Sequence, residues 1–134
     1  MKKTGIYLLL LALVIDSCRQ GGNNSGTKEA HIAFDTTAFN FGEIPFEGNG
    51  EVEFEFTNTG SEPLIITHVK STCGCTIPEW SREPVISGHS GTIHVEYDTH
   101  RVGKFTKSIY VYSNAGNGPQ KLMITGTVLR PEIL

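Results

Sequence analysis

The sequence predicts an all-β sandwich of about seven short strands, set behind an N-terminal stretch that is not part of the fold. Three observations point there. From His31 onward no window places apolar residues at helical spacing over three turns. Over the same stretch, apolar and polar residues alternate with period two again and again. Turn residues, among them many of the 15 Gly and 6 Pro, punctuate those runs at intervals of ~8 to 12 residues. A length of 134 residues leaves room for one globular unit and a tail.

Ile32 and Phe34, then Phe39 and Phe41, mark a first pair of short strands, ended by Gly42-Glu43-Ile44-Pro45. Glu51-Val52-Glu53-Phe54-Glu55-Phe56 is the clearest strand: Val52, Phe54 and Phe56 share one face and three glutamates the other, so one side must be wet. A calcium ladder would also use such glutamates, but no Asp-rich loop accompanies them, and a solvated face is the better account. Asn58-Thr59-Gly60-Ser61-Glu62-Pro63 supplies turn chemistry. Leu64 to Val69 then forms a β-branched, apolar strand running into the cysteines. Pro84 to Ile86 reads as a brief edge strand closed by Ser87-Gly88. Ile93, Val95 and Tyr97 alternate with Thr92, His94 and Glu96. Asp98-Thr99-His100-Arg101 is polar enough to suggest catalysis but reads as a hydrated loop. Phe105, Ile109 and Val111 lie on the next strand, whose other face carries Tyr110 and Tyr112, and Leu122, Ile124 and Val128 complete the pattern. Strands of this number and spacing in ~100 residues are the signature of an immunoglobulin-like sandwich, with two inner faces interdigitating to make the core.

Composition excludes several functions. Hydrophobic residues at 38% and charged residues at 19% describe neither a polyelectrolyte nor a multi-span membrane protein. The net charge is −3 and the 11 Lys and Arg are scattered, so no nucleic-acid partner is expected. There is no Gly-x-Ser-x-Gly, no His-Glu-x-x-His and no phosphate-cradling glycine loop. No enzyme, and no catalytic residue, is expected.

The N-terminus sets an address. Lys2 and Lys3 precede an apolar run of ten residues from Ile6 to Ile15, closed by Asp16. That order of charge and short hydrophobic core builds a secretory signal, whereas a membrane span needs ~20 apolar residues. Ile15-Asp16-Ser17-Cys18 resembles the lipobox of bacterial lipoproteins, with Asp16 departing from the small or aliphatic residue usual there. The resemblance makes residues 1–17 a lipoprotein signal peptide and Cys18 the lipidation site, so the expected partner of the N-terminus is the membrane, reached through the lipid anchor. Two or three acyl chains anchor stably, each buried methylene contributing ~0.8 kcal/mol. Residues 18–29 read as a flexible tether, its RQGGNNSGTKE stretch free of apolar residues, and residues 30–134 as the sandwich domain. Eleven extended residues reach at most ~35 to 40 Å. The tether lacks the acidic run associated with surface export in Bacteroidota lipoproteins. By that resemblance, an outer-membrane lipoprotein facing the periplasm is expected rather than one on the cell surface.

A second resemblance covers most of the remainder. It is carried by Phe39-Asn40-Phe41-Gly42-Glu43-Ile44, Phe56-Thr57-Asn58-Thr59-Gly60, Ser71-Thr72-Cys73-Gly74-Cys75-Thr76, Gly91-Thr92-Ile93, Gly103-Lys104-Phe105, Ser113-Asn114-Ala115 and Ile124-Thr125-Gly126-Thr127-Val128. From about Phe34 to Val128 the chain resembles the short secreted family called domain of unknown function 1573, frequent in Bacteroidota. That family is itself similar to the MSP and ASH immunoglobulin-like domains. Ser87-Gly88 stands where the family usually has Pro-Gly, which affects one turn. The resemblance implies a fold and an envelope location but no activity. Related sandwiches dock other proteins along strand edges, so it leans towards binding.

Cys73-Gly74-Cys75 is the one place with chemistry, and three readings stand side by side. The first is a Cys73–Cys75 disulfide, a small ring in which Gly74 supplies the backbone freedom, readily reducible and hence open to thiol-redox work. In the second, Cys73 and Cys75 project to one side of a strand and grip a soft ion such as Cu(I). Zn(II) needs four ligands, so His68, His89 or His94 would have to join, and His68 is best placed. The third is structural: two half-buried cysteines capping the sandwich, with Trp80 and Pro78 packed over them. The motif is not the Cys-x-x-Cys of thioredoxin-like proteins, and two neighbouring cysteines cannot staple distant strands.

These readings converge on a cell-envelope lipoprotein presenting one immunoglobulin-like binding or structural module, with an envelope protein or glycan as its partner. A strand edge or the outward Tyr110 and Tyr112 would form the contact surface. The alternative is a periplasmic copper-binding or thiol-redox protein working through Cys73 and Cys75. No cofactor is expected outside that copper or zinc alternative.

Overall fold

The computed structural model describes residues 27–132. The predicted signal peptide, Cys18 and the tether up to residue 26 lie outside them. Glu29, read as the end of the tether, already belongs to the fold: its carbonyl accepts the Ser61 N–H at 2.9 Å, and the next carbonyl, Ala30, accepts the Gly116 N–H at 2.9 Å. Among the described residues there is no helix, and so none long and apolar enough to cross a membrane.

Eight strands form: β1 (Ile32–Phe34), β2 (Ala38–Ile44), β3 (Glu51–Asn58), β4 (Ile66–Ser71), β5 (Thr76–Trp80), β6 (Ser90–Tyr97), β7 (Gly103–Ser113) and β8 (Gln120–Val128). They make two four-stranded sheets, in the orders β1-β3-β6-β5 and β2-β8-β7-β4. All pairings are antiparallel except β2 with β8, which run parallel. The sandwich is therefore as expected, but one of its strands is not among those the periodicity predicts. That strand is β5. Its Ile77-Pro78-Glu79 stretch hides it, because Ile77 points to solvent at 55% exposure and Pro78 cannot donate to a ladder. An edge position, with only β6 beside it, accommodates that proline. Conversely, Pro84–Ile86 is not a strand. Only Val85 pairs, exchanging two 2.8 Å backbone hydrogen bonds with Leu64, before Gly88 turns the chain at φ +78°.

The core lies between the sheets, where Ile32, Phe54, Ile93 and Val95 from one meet Ile109, Val111, Leu122 and Ile124 from the other. Tyr97 and Phe105 stack across the gap with ring centroids 3.8 Å apart. Two glycines make room for aromatic rings. Gly91 is the cross-strand partner of Phe56, and Gly126 of Phe105. A Cβ on Gly91 would sit 2.6 Å from the Phe56 ring, and one on Gly126 would sit 2.8 Å from the Phe105 ring. The same device thus recurs in each sheet.

Asn58 closes β3 from inside. It is fully buried. Its side-chain amide donates to the carbonyls of Glu62 at 2.7 Å and Val85 at 2.9 Å. Its side-chain oxygen accepts from the N–H groups of Gly60 at 3.0 Å and His31 at 3.3 Å. The turn chemistry expected here is present, but its centre is a core residue that ties three segments together.

Candidate functional site

The cysteines sit in the turn between β4 and β5, where their sulfur atoms are bonded to each other and their Cα atoms lie 5.4 Å apart. Neither belongs to a strand, so the geometry invoked for a strand-borne metal pair is not the one the fold provides. The turn is pinned on several sides. The Ser71 hydroxyl lies 2.7 Å from the Cys73 carbonyl and 2.8 Å from that of Thr76. The Thr72 N–H donates to Ser108 at 3.0 Å, and the Thr72 hydroxyl oxygen accepts the Ser108 N–H at 3.3 Å. The Asp98 N–H donates to the Cys75 carbonyl at 2.8 Å. Gly74 has no left-handed φ, and a Cβ there would meet open space. Its conformational freedom is not what the ring requires.

Burial divides the two sulfurs. Cys75 is buried and Cys73 half-buried. An incoming thiolate would meet the exposed partner first and leave a thiolate on Cys75, away from water, which makes a poor leaving group. The arrangement is a clasp on the turn. Among the described residues no three His, Cys, Asp or Glu side chains converge as metal ligands.

The three candidate ligand histidines go to three different places. His68 stands on the outer face of β4, its ring 6.2 Å from that of Trp80 and 6.1 Å from that of Tyr112. His94 lies on the outer face of β6 between Glu51 at 4.0 Å and Glu53 at 3.9 Å, among the glutamates read as a solvated face. His89 precedes β6, its backbone engaged with Ile86 and Asn58. Trp80 and Pro78 belong to β5, opposite Ile93 and Val95, and Trp80 packs against the same core cluster as Cys73. The Trp80 ring carries the Arg82 guanidinium at 5.5 Å, and its buried Nε1 has no hydrogen-bond partner.

Asp98 to Arg101 forms a self-satisfied loop. The Asp98 carboxylate accepts the His100 N–H at 3.1 Å and the His100 ring nitrogen at 3.0 Å, with Arg101 at 3.4 Å. The backbone hydrogen bond from His100, then its side chain, hold the Asp98 carboxyl below the usual carboxylate range. Burial pushes the nearby Tyr97 phenol up.

The outer face of the β2-β8-β7-β4 sheet is different in character. An open groove of about 350 Å³ runs there, lined by Lys70, Ser71, Thr72, Tyr110 and Tyr112. Tyr112 is 38% exposed. Pairing aligns Lys70, Tyr110 and Lys121 in one row across β4, β7 and β8. Tyr110 and Tyr112 were legible from alternation alone. The row that Tyr110 forms with the two lysines was not, because Lys70 lies 40 residues before Tyr110 and Lys121 lies 11 residues after it, and only register makes the three neighbours.

A family model described as "Protein of unknown function (DUF1573)" matches residues 32–128, from the start of β1 to the end of β8. No curated protein matches the sequence. Among solved structures, a protein of unknown function from Porphyromonas gingivalis W83 is similar at TM-score 0.65 and 14% identity. The match covers 73% of this chain and 46% of that one, so this chain spans under half of that relative. An ASH/PapD-like domain of human CEP192 is similar at TM-score 0.64 and 12% identity, covering 78% of this chain and 89% of that chain. The secreted serine protease VesC from Vibrio cholerae matches at TM-score 0.56 and 12% identity over 77% of this chain but 24% of its own length. At these identities the likeness is one of fold.

Proposed function

This chain belongs to the DUF1573 family of proteins of unknown function, and from that premise we propose that it is a cell-envelope lipoprotein whose single immunoglobulin-like module binds a partner without chemistry of its own. The observation that carries the reading is the open groove at Tyr110, Tyr112 and Lys70 on the outer face of the β2-β8-β7-β4 sheet. Aromatic side chains supply large contact area at low entropic cost, and interfaces are enriched in them. The disulfide-clasped turn abuts the groove through Ser71 and Thr72 and restrains that end of it. The likeness to an ASH/PapD-like domain agrees with a binding role.

The anchor is part of the proposal. Lys2, Lys3, the Ile6–Ile15 run and Cys18 support a lipidated N-terminus. The tether then holds the start of the domain within ~35 to 40 Å of the bilayer, at the periplasmic side of the outer membrane. Labelling with radioactive palmitate is expected in the native chain and lost in Cys18→Ala. A photo-activatable residue at position 112 should yield adducts in intact cells, whereas one at position 53, on the opposite face, should not. Equal adduct formation at both positions, or none at 112, would reject the groove as the contact surface.

A further inference from the structure

We propose that the outer face of the β2-β8-β7-β4 sheet binds an acidic polysaccharide, one whose sugars carry carboxylates, with Tyr110 as the stacking platform and Lys70 and Lys121 as paired cations. This rests on the binding reading above and names its ligand class.

Charge complementarity argues for the occupant. The β2-β8-β7-β4 sheet carries Lys70, Lys104, Lys107 and Lys121 against one carboxylate, Glu43 of β2, which lies in the row of Lys104 and away from Lys70 and Lys121. Strands β1, β3, β5 and β6 carry Glu51, Glu53, Glu55, Glu79 and Glu96 and no Lys or Arg. A molecule of net charge −3 therefore concentrates positive charge on one sheet and negative charge on the other. Such segregation orients an anion towards one face.

The local geometry narrows the class. Lys70 lies directly across from Tyr110 on one side and Lys121 on the other. Cross-strand neighbours have Cβ atoms about 4.5 to 5.5 Å apart, so the two cations bracket a single ring. Lys70 and Lys121 are exposed, and no carboxylate ion-pairs with either among the described residues. Tyr112 stands two residues further on, about 7 Å along the strand, a distance that a linear oligosaccharide bridges. Ser71 and Thr72 line the end of the groove, and the Thr72 hydroxyl, which accepts the Ser108 N–H, keeps a proton to donate. An aromatic ring receives the C–H face of a pyranose, ammonium groups pair with its carboxylates, and hydroxyls exchange hydrogen bonds with its own. A protein partner would call for a wider apolar centre; the exposed large hydrophobics on this face are Tyr112 and Met123. A nucleic acid would demand more cations than one row supplies.

The test titrates the full chain with tri-galacturonate and, separately, with neutral galactotriose, following backbone amide shifts. Saturable binding of tri-galacturonate alone is expected, with shifts centred on β4, β7 and β8. Tyr110→Ala, and Lys70→Ala combined with Lys121→Ala, should each weaken it at least tenfold, while Glu53→Gln on the far face leaves it unchanged. Unchanged circular dichroism and melting temperature certify that the variants fold. The inference is overturned by absent saturation, by affinity that survives Tyr110→Ala, or by equal binding to phosphatidylglycerol vesicles. A protein cross-linked at position 112, together with no response to tri-galacturonate, would reject the polysaccharide and leave the binding reading standing. No adduct and no response would reject both.

Discussion

At the scale of single residues, Asn58 illustrates how a polar side chain earns a place in an apolar core. All four of its hydrogen-bonding sites meet backbone groups, so burial leaves nothing unpaired. Asn58→Ala orphans those backbone groups together and is expected to cost about 2 to 4 kcal/mol in urea unfolding. The glycines divide by what faces them. Gly91→Ala and Gly126→Ala drive a methyl into the rings of Phe56 and Phe105 and should each destabilise by about 1 to 3 kcal/mol. Gly74→Ala, between the cysteines but facing open space, should change the unfolding midpoint little. The Asp98 carboxyl has a lowered pKa. Its contribution is present above the unfolded carboxylate pKa and fades as pH falls through the folded value. Asp98→Asn should therefore lower stability at neutral pH, leave it unchanged below the folded pKa, and so flatten the acid limb of the stability–pH curve.

Among the elements, β5 and its turn show how local sequence and tertiary placement compete. Alternation found the strands with one buried face, such as β3 and β6, because inward apolar residues there recur every second position. It failed at β5, whose pairing to β6 is a tertiary contact that its proline and outward isoleucine conceal. The clasp of Cys73 to Cys75 closes a ring with a sequence separation of 2. A loop so short removes little entropy from the unfolded chain, about 1 to 2 kcal/mol. Cys73→Ser with Cys75→Ser should therefore still fold, with a modestly lower melting temperature. Phe54→Ala, by contrast, opens a cavity at a fully buried position of β3 and should cost about 3 to 5 kcal/mol.

For the whole molecule, the notable property is the separation of charge between faces. Each strand taken alone offers only scattered lysines or a wet row of glutamates. Folding sorts β4, β7 and β8 into one sheet and β3, β5 and β6 into the other, and a field emerges that no linear window contains. Binding at the lysine face should weaken steeply as ionic strength rises, since exposed charges are screened beyond about 10 Å at 0.1 M salt.

By itself the sequence determined the architecture: period-two alternation and regular turns admit few folds other than a sandwich, because each inward row must be buried against another. It also carried the secretory and lipobox pattern, which is read locally along the chain. The tertiary structure alone decided that Asn58 is a core hub, that Gly91 and Gly126 lie beneath rings, that His68, His89 and His94 are dispersed, and that Lys70, Tyr110 and Lys121 form one row. The reason is common to all of them: each depends on which strand lies beside which and in what register, and pairing between distant segments leaves no mark on either segment alone.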